Sequence, residues 1–371
     1  MKSAVKYKVP QSEPFVGKEE LHNLKKVIKN KWLTEGPFSL EFLEIVKKFT
    51  GAKYAVLANN GTLALFLGML SFGIKEGDEV IVPDFTFCAS ASSIAFTGAK
   101  PVFVDIDGGN LNIDVKKIEK TITKKTKAIM PVHIYGQSAD MDPIVKLAKK
   151  YHLRIIEDAA ESYGVFYKGK HTGTIGDIGV ISFFADKSVT SGEGAVILTN
   201  DSLLHDKLKY LRNQGRLQSG NFIHPYLGMN FRMTDLQCAV GVAQLKKFEK
   251  IKKSRLNIYK TYRSFLKNAP GLSFMEESHY SNFIPFRVVI RVKNLDKLIH
   301  HLEDNGIQTR GVFYPLHQQP CFSYLGYHAG DFPVTNKVRS EGLCLPVFPS
   351  LAKSQIEYLC EKIIEHTKKI N

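Results

Sequence analysis

The residue best placed for covalent chemistry in this sequence is a lysine that follows a strand pattern. Residues 182–184 lead from an apolar run into Lys187, and the turn 191–194 separates this lysine from the next apolar run, 195–199. A lysine amine held in a partly dry pocket beside other cations has a lowered pKa and can attack a carbonyl carbon. A solvated surface position is the ordinary interpretation in a chain so rich in lysine. The location after an apolar strand is what distinguishes Lys187.

An acid stands at the end of another apolar run. Asp158 follows the run 153–156. A carboxylate at the buried end of a central strand is costly unless it has a partner. A cationic pyridinium nitrogen would be such a partner, and a helix cap or an arginine ion pair would account for the acid equally well.

Two further strand ends carry groups that could bind a ligand. Asn60, Gly61 and Thr62 lie between a strand and a helix pattern, where backbone N–H groups and the positive helix end suit a phosphate. Phe85 and Phe87 follow the next strand, and an aromatic ring there could stack on a flat ligand or belong to the core.

These four features complement one another. Together they offer a phosphate cradle, a stacking ring, an acid for a ring nitrogen and a lysine for an imine. Pyridoxal 5′-phosphate requires this combination. We therefore predict it as the cofactor.

The elements that must position these residues alternate between short apolar runs and helical patterns. Such alternation predicts an α/β fold with a mostly parallel sheet flanked by helices, and ligands bind beyond the carboxyl ends of its strands. The predicted strands are 54–58, 79–83, 101–105, 128–133, 154–158, 180–184 and 195–199.

The C-terminal third has a different pattern. A long helix is predicted over 235–266, followed by strands at 286–292 and 309–313, a helix at 295–305 and a terminal helix at 355–368. We expect two domains: a large cofactor-binding domain, 1–245, and a smaller α+β domain, 246–371.

Composition narrows the class of protein. The net charge is +15, from 51 basic and 36 acidic residues, which we attribute to a lysine-rich surface since no nucleic-acid-binding motif accompanies it. The five cysteines are widely spaced and have no metal-ligand spacing, so we expect reduced thiols, no metal site and a cytoplasmic location. No apolar run is long enough to cross a membrane.

Two other features have ordinary interpretations. Gly173, Gly176 and Gly179 loosely resemble a dinucleotide-binding loop, but a strand follows them and not a helix, so we interpret them as a turn. His133 lacks a second ligand at metal spacing and is expected to be a structural histidine.

The sequence resembles the DegT/DnrJ/EryC1/StrS sugar-nucleotide aminotransferases, which have the fold-type-I architecture of pyridoxal phosphate enzymes. The similarity runs nearly end to end, and the segments "EDAAE", "SFFADKSVTSGEG" and "GVFYPLH" most resemble the GDP-perosamine synthases among them. The motifs that carry it are 32–37, 60–62, 83–89, 131–136, 157–160, 182–194, 228–234, 314–317 and 345–346.

The resemblance implies roles for individual residues. Lys187 holds the cofactor aldehyde as an imine and moves the proton, and Asp158 keeps the ring nitrogen protonated. Related dehydratases have histidine in place of this lysine, so Lys187 favours amino transfer. The implied cofactor-binding residues are Gly61, Thr62 and Ser182 at the phosphate, Phe87 against the ring, Glu161 near the ring hydroxyl, and Asn230, which reaches the cofactor of a neighbouring subunit.

The resemblance also implies the reaction. An amino group moves from L-glutamate to C4 of a nucleotide-linked 4-keto-6-deoxyhexose, with GDP-perosamine the favoured product, in lipopolysaccharide O-antigen or similar glycan synthesis. The active site is shared within a homodimer. The implied substrate-binding residues are Trp32, Thr34, Gly36, Arg232, Tyr314 and His317, and Arg310 is a further candidate for facing an anion.

Three alternatives stay open at this point. The same fold could act on a dTDP- or UDP-linked keto sugar, or it could aminate C3. A remote third possibility, supported by the charge, is a non-catalytic cofactor-binding or nucleic-acid-binding regulator.

Overall fold

The computed structural model describes residues 7–216 and 222–370, which form a central sheet, its covering helices and a second, smaller sheet. The central sheet has seven strands in the order β1-β9-β8-β5-β4-β2-β3. Its strands are β1 (Tyr54–Ala58), β2 (Glu79–Pro83), β3 (Lys100–Val104), β4 (Thr126–Ile129), β5 (Arg154–Asp158), β8 (Ile178–Ser182) and β9 (Ala195–Thr199).

Strand direction brings the predicted chemical residues to one edge. Neighbours from β3 across to β8 are parallel, while β9 is antiparallel to both β8 and β1. Strands β1, β2, β5 and β8 therefore all end at the same edge. This mixed, mostly parallel sheet is the one that the sequence predicted.

Helices cover both faces of this sheet. Alternate residues of β1 divide between two cores: Val56 and Ala58 pack with α3, α4 and α7, whereas Ala55 and Leu57 pack with α2 and α8. The helices so far are α1 (Lys18–Asn30), α2 (Pro37–Thr50), α3 (Gly61–Phe72), α4 (Cys88–Ala95), α5 (Val115–Ile118), α6 (Met141–Tyr151), α7 (Ser202–Arg212) and α8 (Asp235–Lys246).

A smaller antiparallel sheet, β10-β11-β12, follows in the chain and has its own apolar core. Val9, near the start of the chain, belongs to this core and pairs with Ile307. The remaining elements are the short hairpin β6 (Phe166–Tyr167) and β7 (Lys170–His171), then α9 (Phe248–Leu266), β10 (Leu272–Phe274), β11 (Val288–Val292), α10 (Leu295–Asp304), α11 (Pro333–Glu341), β12 (Gly342–Leu345) and α12 (Lys353–Ile370). The domain division at residue 245 stays a prediction.

Two predicted elements are wrong. The long helix over 235–266 is interrupted at Lys247, whose backbone N–H closes α8 on the Gln244 and Leu245 carbonyls before α9 begins. The side chain of Lys247 is tied to Glu20 of α1, so a tertiary contact holds the break in place. Residues 309–313 form a single bridge from Gly311 to Leu343, not a strand.

Within the described residues, no helix combines the length and the apolar character that a bilayer crossing requires. Over the same residues, no three His, Cys, Asp or Glu side chains lie together as a metal site.

Candidate active site

A cavity of about 620 Å³ opens at the sheet edge where β1, β2, β5 and β8 end. Its walls bring together residues from four strand ends and from the smaller sheet. Seven of the eight predicted cofactor-binding residues line it, Gly61, Thr62, Phe87, Asp158, Glu161, Ser182 and Lys187, and so does Arg310, predicted to face an anion.

The lysine projects into this cavity from the loop after β8. Its Nζ atom lies 3.6 Å from Glu161 Oε1 and 4.4 Å from the centre of the Phe286 ring. The side chain is only 15% exposed, and it lines the cavity. This placement suits an amine that must meet a carbonyl carbon.

Asp158, at the end of β5, is buried and held in a fixed orientation. Its Oδ2 atom accepts a hydrogen bond of 2.7 Å from Ser90 Oγ, and Ser90 Oγ also lies 3.0 Å from Thr86 Oγ1. The backbone N–H of Ala160 donates to Oδ1. In the described part of the chain no cationic side chain is paired with this carboxylate, and a ring N–H in the cavity would fit it.

Glu161 is the second buried acid of the cavity. Its Oε2 atom accepts a hydrogen bond of 2.8 Å from the backbone N–H of Tyr135. Burial raises the pKa of Glu161, and the charge of Lys187 offsets part of that effect. Tyr135 is held in the left-handed region at φ 53° with its hydroxyl bonded by the Phe313 N–H, so the donor to Glu161 is rigidly placed.

The first turn of α3 forms a cradle for an anion. Asn60 caps the helix, its side chain accepting from the Leu63 N–H and its carbonyl from the Ala64 N–H. The N–H groups of Gly61 and Thr62 point to no partner among the described residues. A Cβ on Gly61 would lie 3.2 Å from Ser182 Cβ, so glycine keeps the space between the helix end and Ser182 open.

Phe87 provides an aromatic wall. Its ring is 61% exposed and lines the cavity, whereas Phe85 is fully buried in the core. The residues present therefore fit pyridoxal 5′-phosphate: a helix end and hydroxyls for the phosphate, a ring for stacking, an unpaired acid for the ring nitrogen and an amine for the aldehyde.

Beside Lys187, the side chains of Asp186, Arg287 and Arg310 form an ionic cluster that the sequence did not predict as a unit. Asp186 Oδ2 accepts from Arg287 and, at 3.1 Å, from Arg310 Nη1. Burial opposes the charge of Asp186, but the charges of Arg287 and Lys187 prevail and lower its pKa. Of this cluster the sequence predicted only Arg310, as a candidate for facing an anion; both arginines lie more than a hundred positions from Asp186 in the chain.

The segment with Trp32, Thr34 and Gly36 lies outside the cavity lining. Trp32 is largely exposed and its indole N–H donates to the Thr34 carbonyl. Gly36 precedes α2, and its N–H donates to the buried Asp235 carboxylate, which leaves no room for a Cβ.

Four other residues predicted to bind cofactor or substrate also lie outside the lining. Asn230 is exposed and accepts from the Arg232 N–H, and the Arg232 guanidinium donates to Asn213. Tyr314 is half-exposed under Arg339. His317 is buried, with its Nδ1 2.7 Å from Asp84 Oδ2.

The glycines interpreted as a turn bind an internal carboxylate. The N–H groups of Gly173, Ile175 and Gly176 donate to Glu157, which also lies 2.9 Å from His133 Nε2. The structural role expected for His133 is confirmed, and the glycine loop serves a side chain and not a dinucleotide.

Comparison with known proteins identifies one family over nearly the whole chain. The model of the DegT/DnrJ/EryC1/StrS aminotransferase family matches residues 14–364. The chain is 37% identical to the GDP-perosamine synthase of Escherichia coli O157:H7, over 96% of this chain and 98% of that protein.

A second relative has a different substrate in its name. The UDP-2-acetamido-2-deoxy-3-oxo-D-glucuronate aminotransferase of Pseudomonas aeruginosa is 35% identical over 91% of this chain and 93% of its own. Among solved structures, the PLP form of Spr1654 from Streptococcus pneumoniae superposes with a TM-score of 0.94 at 25% identity, covering 98% of this chain and all of that one.

Proposed function

This chain belongs to the DegT/DnrJ/EryC1/StrS aminotransferase family, and from that we propose that it moves an amino group from L-glutamate to C4 of a GDP-linked 4-keto-6-deoxyhexose. It is a sugar aminotransferase that uses pyridoxal 5′-phosphate. The observation that carries the proposal is that Lys187 and Asp158 line one cavity with the first turn of α3, and Asp158 has no ion pair among the described residues.

The residues of the chain have separate tasks in this reaction. When bound, the cofactor supplies an electron sink. The Lys187 amine takes the proton from Cα of the donor and later delivers one to C4 of the sugar. Asp158, fixed by Ser90, holds the proton on the ring nitrogen.

Glu161 and Phe87 complete the site. Glu161 keeps a carboxyl group within reach of Lys187, and Phe87 closes one side of the cavity against the ligand. Holding the amine and the reacting carbon together in one cavity is a large part of what such a site can contribute to rate.

The GDP-sugar assignment is supported by the relatives named GDP-perosamine synthase. The test is to incubate the holoenzyme and L-glutamate with GDP-, dTDP- and UDP-linked 4-keto-6-deoxy sugars and to measure products by mass spectrometry. Product from the GDP sugar at more than ten times the rate of the others supports the assignment. A preference for another nucleotide contradicts it.

One specific alternative is amination at C3 of a UDP-linked sugar. The relative from Pseudomonas aeruginosa, whose name specifies a 3-oxo UDP sugar, favours it. Proton NMR of the product distinguishes the two, because the proton on the aminated carbon identifies C3 or C4 through its couplings.

We also propose a homodimer in the cytoplasm. Large apolar side chains are exposed together in the segment 222–229 next to Asn230, and a contiguous exposed apolar patch is typical of an interface. The five cysteines are all free, as expected in a reducing compartment.

A further inference from the structure

A second, smaller cavity adjoins the one that we assign to the cofactor. Its volume is about 260 Å³. Part of its wall is formed by residues that also line the larger cavity: Phe184, Asp186, Lys187, Arg287 and Arg310. The rest comes from residues 12–15, Gln244, Arg255 and 347–349. Lys187 therefore faces both spaces.

The walls of the small cavity carry an excess of positive charge. Lys187, Arg255, Arg287 and Arg310 face Asp186 and Glu13. Asp186 is already shared by Arg287 and Arg310, and Glu13 is exposed and accepts from Ser350.

Arg255 is the side chain left without an anion. It is 4% exposed, and its Nη1 donates to the carbonyls of Pro285 and Phe286. Its Nε has no hydrogen-bond partner in the described residues, and over those residues no carboxylate forms an ion pair with it. Burial and the charge of Arg287 lower the pKa of Arg255 to about 9. A buried cation without a counter-ion is costly, so an anion is expected to join it when the enzyme works.

We propose that this small cavity binds the distal carboxylate of a dicarboxylic amino donor, with Arg255 as its principal ligand and Arg310 as the second. The inference rests on the proposed function. In glutamate, three carbon–carbon bonds separate Cα from the distal carboxylate carbon, a reach of about 4 Å. A donor whose Cα lies at Lys187 can therefore extend that carboxylate into the adjoining space.

Size argues against the nucleotide as occupant. Pockets for drug-sized ligands have volumes of roughly 300–1,000 Å³. The cavity of about 620 Å³ falls in that range, and the one of about 260 Å³ falls below it. A carboxylate fits the smaller space and a nucleoside diphosphate does not.

Asp186 is a positioning residue in this arrangement. It neutralises Arg287 and holds the Arg310 guanidinium at the boundary of the two cavities. The Arg310 side chain is 41% exposed and lines both cavities, so an entering carboxylate can reach its guanidinium while Asp186 holds it.

The test uses Arg255→Lys, which keeps the charge and removes the planar fork. Arg291→Lys is the control for the same substitution elsewhere: Arg291 is part-buried, forms an ion pair with Glu341 and lies outside both cavities. One readout is the rate at which amino donors bleach the yellow holoenzyme, compared for L-glutamate and for L-norvaline, which lacks the distal carboxylate. The other is thermal stabilisation of the holoenzyme by glutarate, which cannot react.

For Arg255→Lys we expect kcat/KM for glutamate to fall at least tenfold, the value for norvaline to change less than twofold, and stabilisation by glutarate to disappear. Arg291→Lys should match the wild type in all three quantities. Should Arg255→Lys fail to fold, Arg310→Lys is expected to lower the glutamate-to-norvaline ratio in the same way.

The proposal is overturned if a folded variant keeps the wild-type glutamate-to-norvaline ratio of kcat/KM. It is also overturned if the variant loses activity only toward the sugar nucleotide. Failure of the proposed function looks different: no amino acid would bleach the wild-type enzyme. Glutarate stabilisation that depends on Arg255 would still report on the small cavity in that case.

Discussion

At the scale of single residues, Lys187 carries the reaction, and its replacement is the most direct test. In Lys187→Ala, we expect the absorbance band of the imine between the lysine and the cofactor to be lost, because the amine that would form it is absent. Turnover should fall to background, because the same amine moves the proton. The absorption spectrum and the rate of 2-oxoglutarate release measure both effects.

Lys149→Ala, at an exposed position on α6, is the control and should resemble the wild type. Circular dichroism should show that both variants keep the fold. Wild-type activity in Lys187→Ala contradicts the assignment.

Gly61 is important for the space it leaves open. A Cβ there would lie 3.2 Å from Ser182 Cβ and 3.3 Å from Ser182 Oγ, at the helix end that we assign to the phosphate. Gly61→Ala is therefore expected to weaken cofactor binding about tenfold, a loss of about 1.4 kcal/mol. Titration of the apoenzyme followed by fluorescence measures it.

Gly330→Ala is a matched control, because a Cβ at Gly330 meets nothing within 4 Å. If Gly61→Ala binds the cofactor as tightly as this control, the phosphate does not lie at this helix end.

The sequence could predict those site residues that follow strands. Asp158 and Lys187 each come after an apolar run, and parallel strand ends meet at one edge. The cluster of Asp186, Arg287 and Arg310 could not be predicted, since arginines far apart in the chain become partners through packing of the smaller sheet on the larger.

At the scale of elements, the loop 173–176 is organised around one buried acid. Burial opposes the charge of Glu157, but His133 and the loop N–H groups outweigh it, so the pKa of Glu157 is lowered. Glu157→Gln leaves donors unsatisfied and is expected to lower the free energy of unfolding at pH 7 by about 2–4 kcal/mol. Urea denaturation measures this.

The sign of the pH dependence follows from the lowered pKa. Glu157 stabilises the fold above its ordinary pKa of 4.5, and this contribution is lost as the pH falls through the lower folded value. The difference in the free energy of unfolding between the wild type and Glu157→Gln should therefore become smaller below about pH 4.5. Two outcomes contradict this account: a difference in the free energy of unfolding that does not change with pH, or a loss of stability no larger than in the exposed control Glu44→Gln.

The bounds of secondary-structure elements were predicted correctly where burial of a strand produces an apolar run in the sequence. Strands β1, β2, β5 and β9 have the bounds that the apolar runs predicted. It failed where tertiary contacts decide: Lys247 breaks a helical pattern by bonding to Glu20, and Phe313 is fixed by the Tyr135 hydroxyl and not by a strand partner.

At the scale of the whole molecule, the exposed segment 222–229 provides the test of assembly. Leu227 is 97% exposed there. Leu227→Glu places a charge in the proposed interface and is expected to raise the dimer dissociation constant at least tenfold. Sedimentation velocity over a range of concentrations measures this constant.

Leu203→Glu, at another exposed leucine on α7, serves as the control. Equal dimer affinity in both variants would place the interface elsewhere. If the dimer is needed for a shared active site, Leu227→Glu should also lose activity at dilution.

The placement of Val9 has a consequence for how the protein is made. Val9 completes a core whose other members span residues 258–363, and Gln11 donates to the carbonyl of Cys344. The central sheet, drawn from residues 54–199, can assemble while the ribosome is still translating the remainder. The smaller core must wait until residue 363 has been synthesised, so the segment with Val9 docks onto elements that are made much later. A tag or leader fused before Val9 should therefore slow the final stage of maturation more than the same extension placed after residue 370.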